Sequence, residues 1–228
     1  MIELVALDMA GTTIDDHGAV YEALRQAVEE TGATVATPDL QLWMGTDKVT
    51  AIGALMELGG QAPEPDRVAT AFERFRAILA QSYQAVPPVA LPGVEAALRE
   101  LQARGILISL TTGFDDSVAL PLLASLGWTV GEGREHLLDA VVTTSQVTAG
   151  RPAPYLIHHA MEVTGVTDVR QVLAAGDTAV DLLAAYNAGV IGVGVLTGAL
   201  DWAALAANPH DHILESVAEL PGLPETQK

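Results

Sequence analysis

The chain has 228 residues, half of them hydrophobic and none of them cysteine, and its formal net charge is −18. This length allows one ordinary domain or a core with an insertion, while the lack of cysteine excludes disulfides, thiolate nucleophiles and cysteine-zinc sites and favours an intracellular protein, which we expect to be cytoplasmic. The negative charge disfavours nucleic acid and anionic membrane surfaces as partners, and no apolar run reaches the roughly 18 residues of a membrane span.

The first predicted element is a nearly continuous apolar strand over residues 2–7. It follows directly on the first residue, so we expect no signal peptide. A run of this kind is typical of a strand buried on both faces of a parallel sheet. Asp8 comes where the strand ends, and the turn Gly11-Thr12 follows. An acid at the carboxyl end of such a strand lies at the crevice where α/β folds bind ligands, so Asp8 is the first candidate functional residue.

Residues 16–86 carry apolar side chains at helical spacing and no strand pattern. We predict a small all-α cap over residues 16–86, inserted into a core domain of residues 1–15 and 87–228. Inside the cap, a Met44-Gly45 break precedes Lys48 and a second helical pattern. Lys48 is one of only two lysines in the chain, the other being Lys228. A chain that avoids lysine but keeps one in its interior suggests a chemical role for Lys48.

From residue 92 onward, predicted strands alternate with predicted helices. The strands are expected at residues 106–110, 140–142, 172–175 and 191–195, the last clear strand. This alternation predicts an α/β fold with a Rossmann-like, doubly wound parallel sheet and helices on both faces. We place His210 and His212 in a surface loop and expect the tail from residue 221 to be frayed.

Polar residues follow three of the predicted strands: Asp8, the pair Thr111-Thr112, and Asp177. The carboxyl ends of parallel strands lie at one edge of the sheet, so these groups converge. Asp181 follows Asp177 by one helical turn and faces the same edge. Carboxylates without cysteine or histidine partners suit a hard cation, and Mg²⁺ is the natural choice.

The same edge is suited to a phosphoryl group. Backbone N–H groups and hydroxyls in the Gly-Thr turns can hold phosphate oxygens, and Arg151, in a Gly-Arg-Pro turn, can supply positive charge. A carboxylate that faces a bound phosphoryl group is a candidate nucleophile through an aspartyl-phosphate. The residues therefore indicate a ligand that carries a phosphoryl group.

Four motifs in order resemble the haloacid dehalogenase superfamily over essentially the whole chain. They are Asp8-x-x-Gly11-Thr12, Thr112-Gly113, Arg151-Pro152 and Gly176-Asp177-Thr178-x-x-Asp181. The resemblance implies a helical cap inserted after the first strand of the core. It also implies an Mg²⁺ ion bound by Asp8, the backbone carbonyl of Ala10 and Asp177, with Asp181 nearby or acting through water.

One difference from the superfamily's usual motif indicates which of its subgroups the chain resembles. Most phosphatases of this superfamily have an aspartate two residues after the nucleophile, which protonates the leaving alkoxide, and this chain has Ala10 there. Losing a general acid costs roughly 10²- to 10⁴-fold in rate. Ala10 is similar to the phosphonatases, which cleave a C–P bond with a cap lysine that follows Met-Gly-x-x, as Lys48 follows Met44-Gly45 here. The arginine at position 151 and the Thr111-Thr112-Gly113 strand end are also phosphonatase-like.

The phosphonatase resemblance implies a mechanism and a set of site residues. Lys48 forms a Schiff base with the substrate carbonyl, and Asp8 takes the phosphoryl group. The substrate-binding residues are Thr112, Gly113, Arg151, Met44 and Gly45. The resemblance further implies a small-molecule phosphonate as substrate and a homodimer as the assembly.

The resemblance is incomplete around the carbonyl end of the substrate. This chain has Ala51, Phe114 and Gly18 where phosphonatases have histidine, tyrosine and cysteine. We therefore expect a 2-oxoalkylphosphonate other than phosphonoacetaldehyde itself as one candidate. Two alternatives stay open: a phosphatase or phosphoryl-transfer enzyme for a small phosphate ester, with Lys48 only binding substrate, and a non-catalytic member that binds a phosphorylated ligand.

Overall fold

A computed structural model describes residues 1–227 of the chain. Within them the strands are β1 (Leu4–Leu7), β2 (Ile14–Asp15), β3 (Val89–Ala90), β4 (Leu107–Thr111), β5 (Ala140–Val142), β6 (Val172–Gly176), β7 (Ile191–Val195) and β8 (His212–Leu214). The α-helices are α1 (Ala19–Glu29), α2 (Thr37–Leu42), α3 (Lys48–Leu58), α4 (Pro65–Ala85), α5 (Val94–Ala103), α6 (Asp116–Ser125), α7 (Tyr155–Thr164), α8 (Ala179–Ala188) and α9 (Trp202–Ala206).

The core is a six-stranded parallel sheet in the order β5-β4-β1-β6-β7-β8. Strand β1 lies inside the sheet, between β4 and β6, and all four of its residues are buried. Leu4 and Ala6 pack with α7 and α8 on one face, and Val5 and Leu7 pack into the larger cluster on the other. Helices thus cover both faces of the sheet, which confirms the predicted doubly wound α/β fold.

Helices α1 to α4 follow one another between β2 and β3, and α1 packs along α4. Strands β2 and β3 pair as a short antiparallel ribbon, with Ile14 opposite Ala90. The division into a cap of residues 16–86 and a core of residues 1–15 and 87–228 stays a prediction, and this ribbon lies beside both of its boundaries. In the described residues 1–227, no helix is long and apolar enough to span a membrane.

Two expectations for the C-terminal part of the chain were wrong. His212 is not in a loop but opens β8, which pairs in parallel with β7. Strand β8 has only three residues, His-Ile-Leu, and all of them are half-buried. It is too short to show the apolar run that predicts the other strands of the sheet.

The tail from residue 221 is also not frayed over the described residues. Short 3₁₀ helices at Val217–Gly222 and Pro224–Thr226 bury Leu220 completely. Arg104 Nη1 on the neighbouring turn donates to the carbonyl oxygens of Pro221, at 2.7 Å, and Thr226, at 3.2 Å. The prolines here suggest a chain end, but tertiary packing against α5 orders it.

The packing of the tail predicts how a substitution there changes the free energy of unfolding. Leu220→Ala should lower the free energy of unfolding by about 2–5 kcal/mol, because it removes a completely buried side chain from the contact with α5. The matched control Leu120→Ala, at a position 51% exposed on α6, should cost less than about 1 kcal/mol. Denaturant unfolding measures both variants, and equal small losses would contradict the packed tail.

Candidate active site

A cavity of about 450 Å³ lies over the carboxyl ends of β1, β4 and β6. Core turns form one wall, and the other wall comes from α1, α2 and the loop that leads into α3. The predicted site residues that line it are Asp8, Ala10, Met44, Gly45, Lys48, Thr112, Gly113, Arg151 and Asp177. The remaining one, Asp181, is buried beside the cavity and contacts Arg151.

Three carboxylates from separate segments meet at this edge of the sheet. Asp8 follows β1, Asp177 follows β6, and Asp181 lies in the first turn of α8. Each offers a carboxylate oxygen, and the three oxygens lie within 4.8 Å of one another. Neighbouring threonines fix two of the three. Thr12 Oγ1 donates to Asp177 Oδ1 at 2.8 Å, and the Thr178 N–H donates to Asp181 Oδ2 at 3.0 Å.

The carboxylate cluster is unfavourable without a cation. Burial, together with the charges of Asp8 and Asp181, raises the pKa of Asp177 well above its usual range. Burial likewise raises the pKa of Asp181 to about 6, although Arg151 acts in the opposite direction. A cation among the three oxygens would offset both the burial of these carboxylates and their mutual repulsion, and so would lower both pKa values.

The donor set around this cluster fits a hard divalent ion. All three groups are carboxylates, the ligand type that Mg²⁺ prefers, and Ala10 lies on the same cavity wall. Backbone packs directly against Asp177: an added Cβ would lie 2.6 Å from its Oδ2 at Gly11 and 1.9 Å at Gly198. The site therefore suits Mg²⁺ in charge and chemistry, while the role of the Ala10 carbonyl stays a prediction.

Arg151 is almost fully buried beside these carboxylates. Its Nη1 donates to Asp8 Oδ1 at 2.7 Å and lies 2.9 Å from Asp181 Oδ1, and its Nη2 donates to the Thr111 carbonyl at 2.8 Å. Burial opposes its charge, but Asp181 and Asp8 raise the pKa of Arg151 above its usual value. The sequence predicts a phosphonate-binding arginine, and in the structure this guanidinium contacts the candidate nucleophile itself.

Lys48 is the first residue of α3 and is only 5% exposed. Its Nζ donates to the Thr46 carbonyl at 3.0 Å and lies 5.6 Å from the centroid of the Phe114 ring. Burial lowers the pKa of Lys48 to about 8, with Asp8 acting in the opposite direction and Arg151 in the same one. With this pKa, roughly a tenth of the amine is neutral, and so nucleophilic, at pH 7.

The loop before Lys48 lies directly on the core. Gly45 has a positive φ of 78°, and an added Cβ there would lie 2.4 Å from Thr178 Oγ1. A Cβ at Gly113 would lie 2.7 Å from the Thr46 carbonyl oxygen. Because both positions lack a side chain, the loop approaches the core closely enough to bring Lys48 into the cavity that Asp8 lines.

Among the other predicted substrate-binding residues, Thr112 Oγ1 accepts a hydrogen bond from the Phe114 N–H and keeps its own proton to donate. Gly18 and Phe114, two of the departures from the phosphonatase pattern, also line the cavity. Ala51, the third, is completely buried within α3.

Sequence reasoning missed the polar cavity residues on α1, among them Tyr21 and Arg25. These two are four residues apart and so lie on one side of this helix, next to its apolar face. Burial, followed by the charge of Asp177, raises the pKa of Tyr21, so its hydroxyl stays a hydrogen-bond donor. The i, i+4 spacing of the two residues was the available signal, but it is too common to mark a site.

Comparisons with known proteins point to one family. A family model described as a haloacid dehalogenase-like hydrolase matches residues 2–189. A curated relative from Lactiplantibacillus plantarum, named phosphonoacetaldehyde hydrolase, is 31% identical over 97% of this chain and 95% of its own length.

Two solved structures have the same fold. A phosphonoacetaldehyde hydrolase like protein from Oleispira antarctica has a TM-score of 0.80 at 22% identity, covering 97% of this chain and 90% of its own. A beta-phosphoglucomutase from Clostridium difficile has a TM-score of 0.81 at 19% identity, covering 96% of this chain and 93% of its own. At such identities the likeness is one of fold alone.

The carboxylate cluster predicts how one substitution changes the stability of the protein without metal and its response to metal. Asp177→Asn should raise the free energy of unfolding in a chelator, because it removes a carboxylate whose charge is opposed by burial and by Asp8 and Asp181. Mg²⁺ should raise the melting temperature of the unmodified protein but not of this variant, because a ligand stabilises only the state that binds it. Melting curves with EDTA and with Mg²⁺ measure both effects, and an equal Mg²⁺ response in the two proteins would contradict the assignment.

Proposed function

Since the chain belongs to the haloacid dehalogenase-like hydrolases, we propose that it is an Mg²⁺-dependent hydrolase that cleaves the C–P bond of a 2-oxoalkylphosphonate. The observation that carries this proposal is the buried amine of Lys48, with its lowered pKa, in the same cavity as Asp8. The curated relative named phosphonoacetaldehyde hydrolase supports the same chemistry.

In the proposed reaction the neutral amine of Lys48 attacks the carbonyl carbon of the substrate. Loss of water leaves an iminium ion, whose positive nitrogen withdraws electrons from the neighbouring C–P bond. The pair of electrons from that bond moves to the carbon and forms an enamine. The leaving group is therefore carbon. This step needs an electron sink, whereas the cleavage of a phosphate ester needs a general acid to protonate the leaving oxygen. This requirement agrees with Ala10 at the position of the acid.

Asp8 is the proposed acceptor of the phosphoryl group. As the C–P bond breaks, a carboxylate oxygen of Asp8 bonds to phosphorus and gives an aspartyl-phosphate. Water then cleaves this acyl phosphate, the enamine is protonated at carbon, and a second water releases the ketone or aldehyde and free Lys48. One water is consumed overall, since the imine step releases one of the two, and the products are phosphate and the dephosphonylated carbonyl compound.

The remaining residues bind and orient the phosphonate. Arg151 and the Thr112 hydroxyl donate hydrogen bonds to its oxygens, and Arg151 exchanges its contact with Asp8 Oδ1 for a phosphonate oxygen. Asp8, Asp177 and Asp181 would hold Mg²⁺, which would supply positive charge for the phosphonate and offset the repulsion between the Asp8 carboxylate and an anionic substrate. The cap loop of residues 44–48 keeps bulk water from Lys48, which is 5% exposed.

Replacement of the proposed imine-forming amine tests this function. Lys48→Arg keeps a positive charge but cannot form a Schiff base, so phosphate release from phosphonoacetaldehyde and 2-oxopropylphosphonate should fall by about 10³-fold or more, the scale on which covalent catalysts act. For the unmodified protein, kcat/KM should rise with pH below about 8 and level off above it, because only the neutral amine of Lys48 attacks.

Hydrolysis of a phosphate monoester by the same two proteins is the internal control, since it uses no imine. Ester hydrolysis that exceeds C–P cleavage and survives Lys48→Arg would contradict the proposal. That result would support the phosphatase alternative, with Lys48 as a substrate-binding cation.

A further inference from the structure

The cavity is larger than a two-carbon phosphonate requires. Its volume of about 450 Å³ falls in the range of roughly 300–1,000 Å³ that is typical of sites for much larger ligands. Helices α1 and α2 contribute polar side chains to its lining, among them Tyr21, Arg25, Thr37 and Gln41. These side chains have no role in the reaction proposed above.

Three cationic side chains of the described residues line the cavity: Arg25, Lys48 and Arg151. The reaction assigns Arg151 to the phosphonate and Lys48 to the carbonyl carbon. Arg25 is the cation that the reaction leaves without a role.

Arg25 is held in place by hydrogen bonds to the start of α2 and to the residues just before it. Its Nη1 donates to the Val35 carbonyl at 2.7 Å, and its Nη2 donates to Thr37 Oγ1 at 3.2 Å. These bonds fix the guanidinium at the cavity wall, and the side chain stays 25% exposed. Arginine has five N–H donors in a planar fork, so two such bonds leave donors for an anion.

Two acids lie near Arg25 on α1. Glu29 is 3.8 Å from its Nη1, a loose contact with an exposed side chain. Glu22 lines the cavity as well but is itself exposed to solvent. Neither acid makes a hydrogen bond to the guanidinium within residues 1–227. The charge of Arg25 is therefore available to a ligand inside the cavity.

We propose that Arg25 forms a carboxylate subsite, so that the substrate is a 2-oxophosphonate with a carboxylate on the far side of its carbonyl carbon. This inference rests on the proposed function for the identity of the reacting group. The formal charge of −18 repels a ligand with two anionic groups, so each group needs a cation, and Arg25 is the cation left for the second one.

Binding of unreactive ligands tests the subsite without turnover. We would compare 3-phosphonopropanoate with propylphosphonate, and 4-phosphonobutanoate with butylphosphonate, by calorimetry in Mg²⁺. These compounds have no keto or aldehyde carbonyl for Lys48 to attack. In the unmodified protein at least one carboxylated ligand should bind about 10- to 100-fold more tightly than its alkyl partner, the effect of one charge-assisted contact.

Arg25→Gln should reduce this ratio to about 1–2, and Arg25→Lys should keep part of it. Arg74→Gln is the matched control, because Arg74 is a cap arginine that pairs with Glu30 outside the cavity. Its ratio should equal that of the unmodified protein. Melting temperatures identify variants in which loss of the Val35 and Thr37 bonds has only destabilised the cap. If the role of Arg25 were purely structural, its replacement would weaken the binding of both members of a ligand pair equally.

A ratio near 1 in the unmodified protein for both ligand pairs, or an unchanged ratio in Arg25→Gln, would overturn the subsite. Phosphate release from 3-phosphono-2-oxopropanoate and from phosphonoacetaldehyde separates this result from a failure of the proposed function. Absence of release from every 2-oxophosphonate would refute the proposed function, while the binding ratio still decides the subsite.

Discussion

The loop of residues 44–48 lies directly against the turns that follow β4 and β6, and the rest of the site depends on this contact. Gly45 packs against Thr178, and Gly113 packs against the Thr46 carbonyl, at distances that leave no room for a side chain. This contact brings Lys48 into the cavity and removes its amine from water. The lowered pKa of Lys48 follows from that burial more than from any charged neighbour. The lowered pKa of the Lys48 amine, on which its proposed role as a nucleophile depends, is thus a consequence of backbone packing.

The site holds more charge than a stable core favours. Asp8, Asp177, Asp181, Arg151 and Lys48 are all nearly fully buried. Arg151 partly neutralises the carboxylates through Asp8 and Asp181, yet burial, followed for Asp177 by the charges of Asp8 and Asp181, still raises the pKa values of Asp177 and Asp181. Such an arrangement lowers the stability of the protein and persists where function requires it. In the proposed function, a divalent cation would supply the positive charge that these buried carboxylates need.

The sequence predicts the core of the fold and the polar residues at the strand ends that line the cavity, because each depends on local rules. Apolar runs that end in Asp8, Thr112 and Asp177 are recognisable, and parallel strands then bring those residues to one edge. Contacts over long sequence separations were not predictable. The bond between Arg151 and Asp8, the position of Arg25 on the cavity wall, and the ordering of the tail by Arg104 each depend on tertiary packing. Strand β8 and the 3₁₀ helices are too short for a periodic pattern to detect them.

The most direct test of the account is borohydride trapping of the proposed imine. The protein would be incubated with 2-oxopropylphosphonate, reduced, and analysed by intact mass and peptide mapping. Only Lys48 and Lys228 carry side-chain amines, so Lys228→Arg is the matched control and the N-terminal amine is resolved by the map. The account predicts one stable adduct, on Lys48, that is retained in Lys228→Arg and lost in Lys48→Arg. Absence of an adduct on Lys48 from a protein that still releases phosphate from 2-oxopropylphosphonate would contradict the imine mechanism.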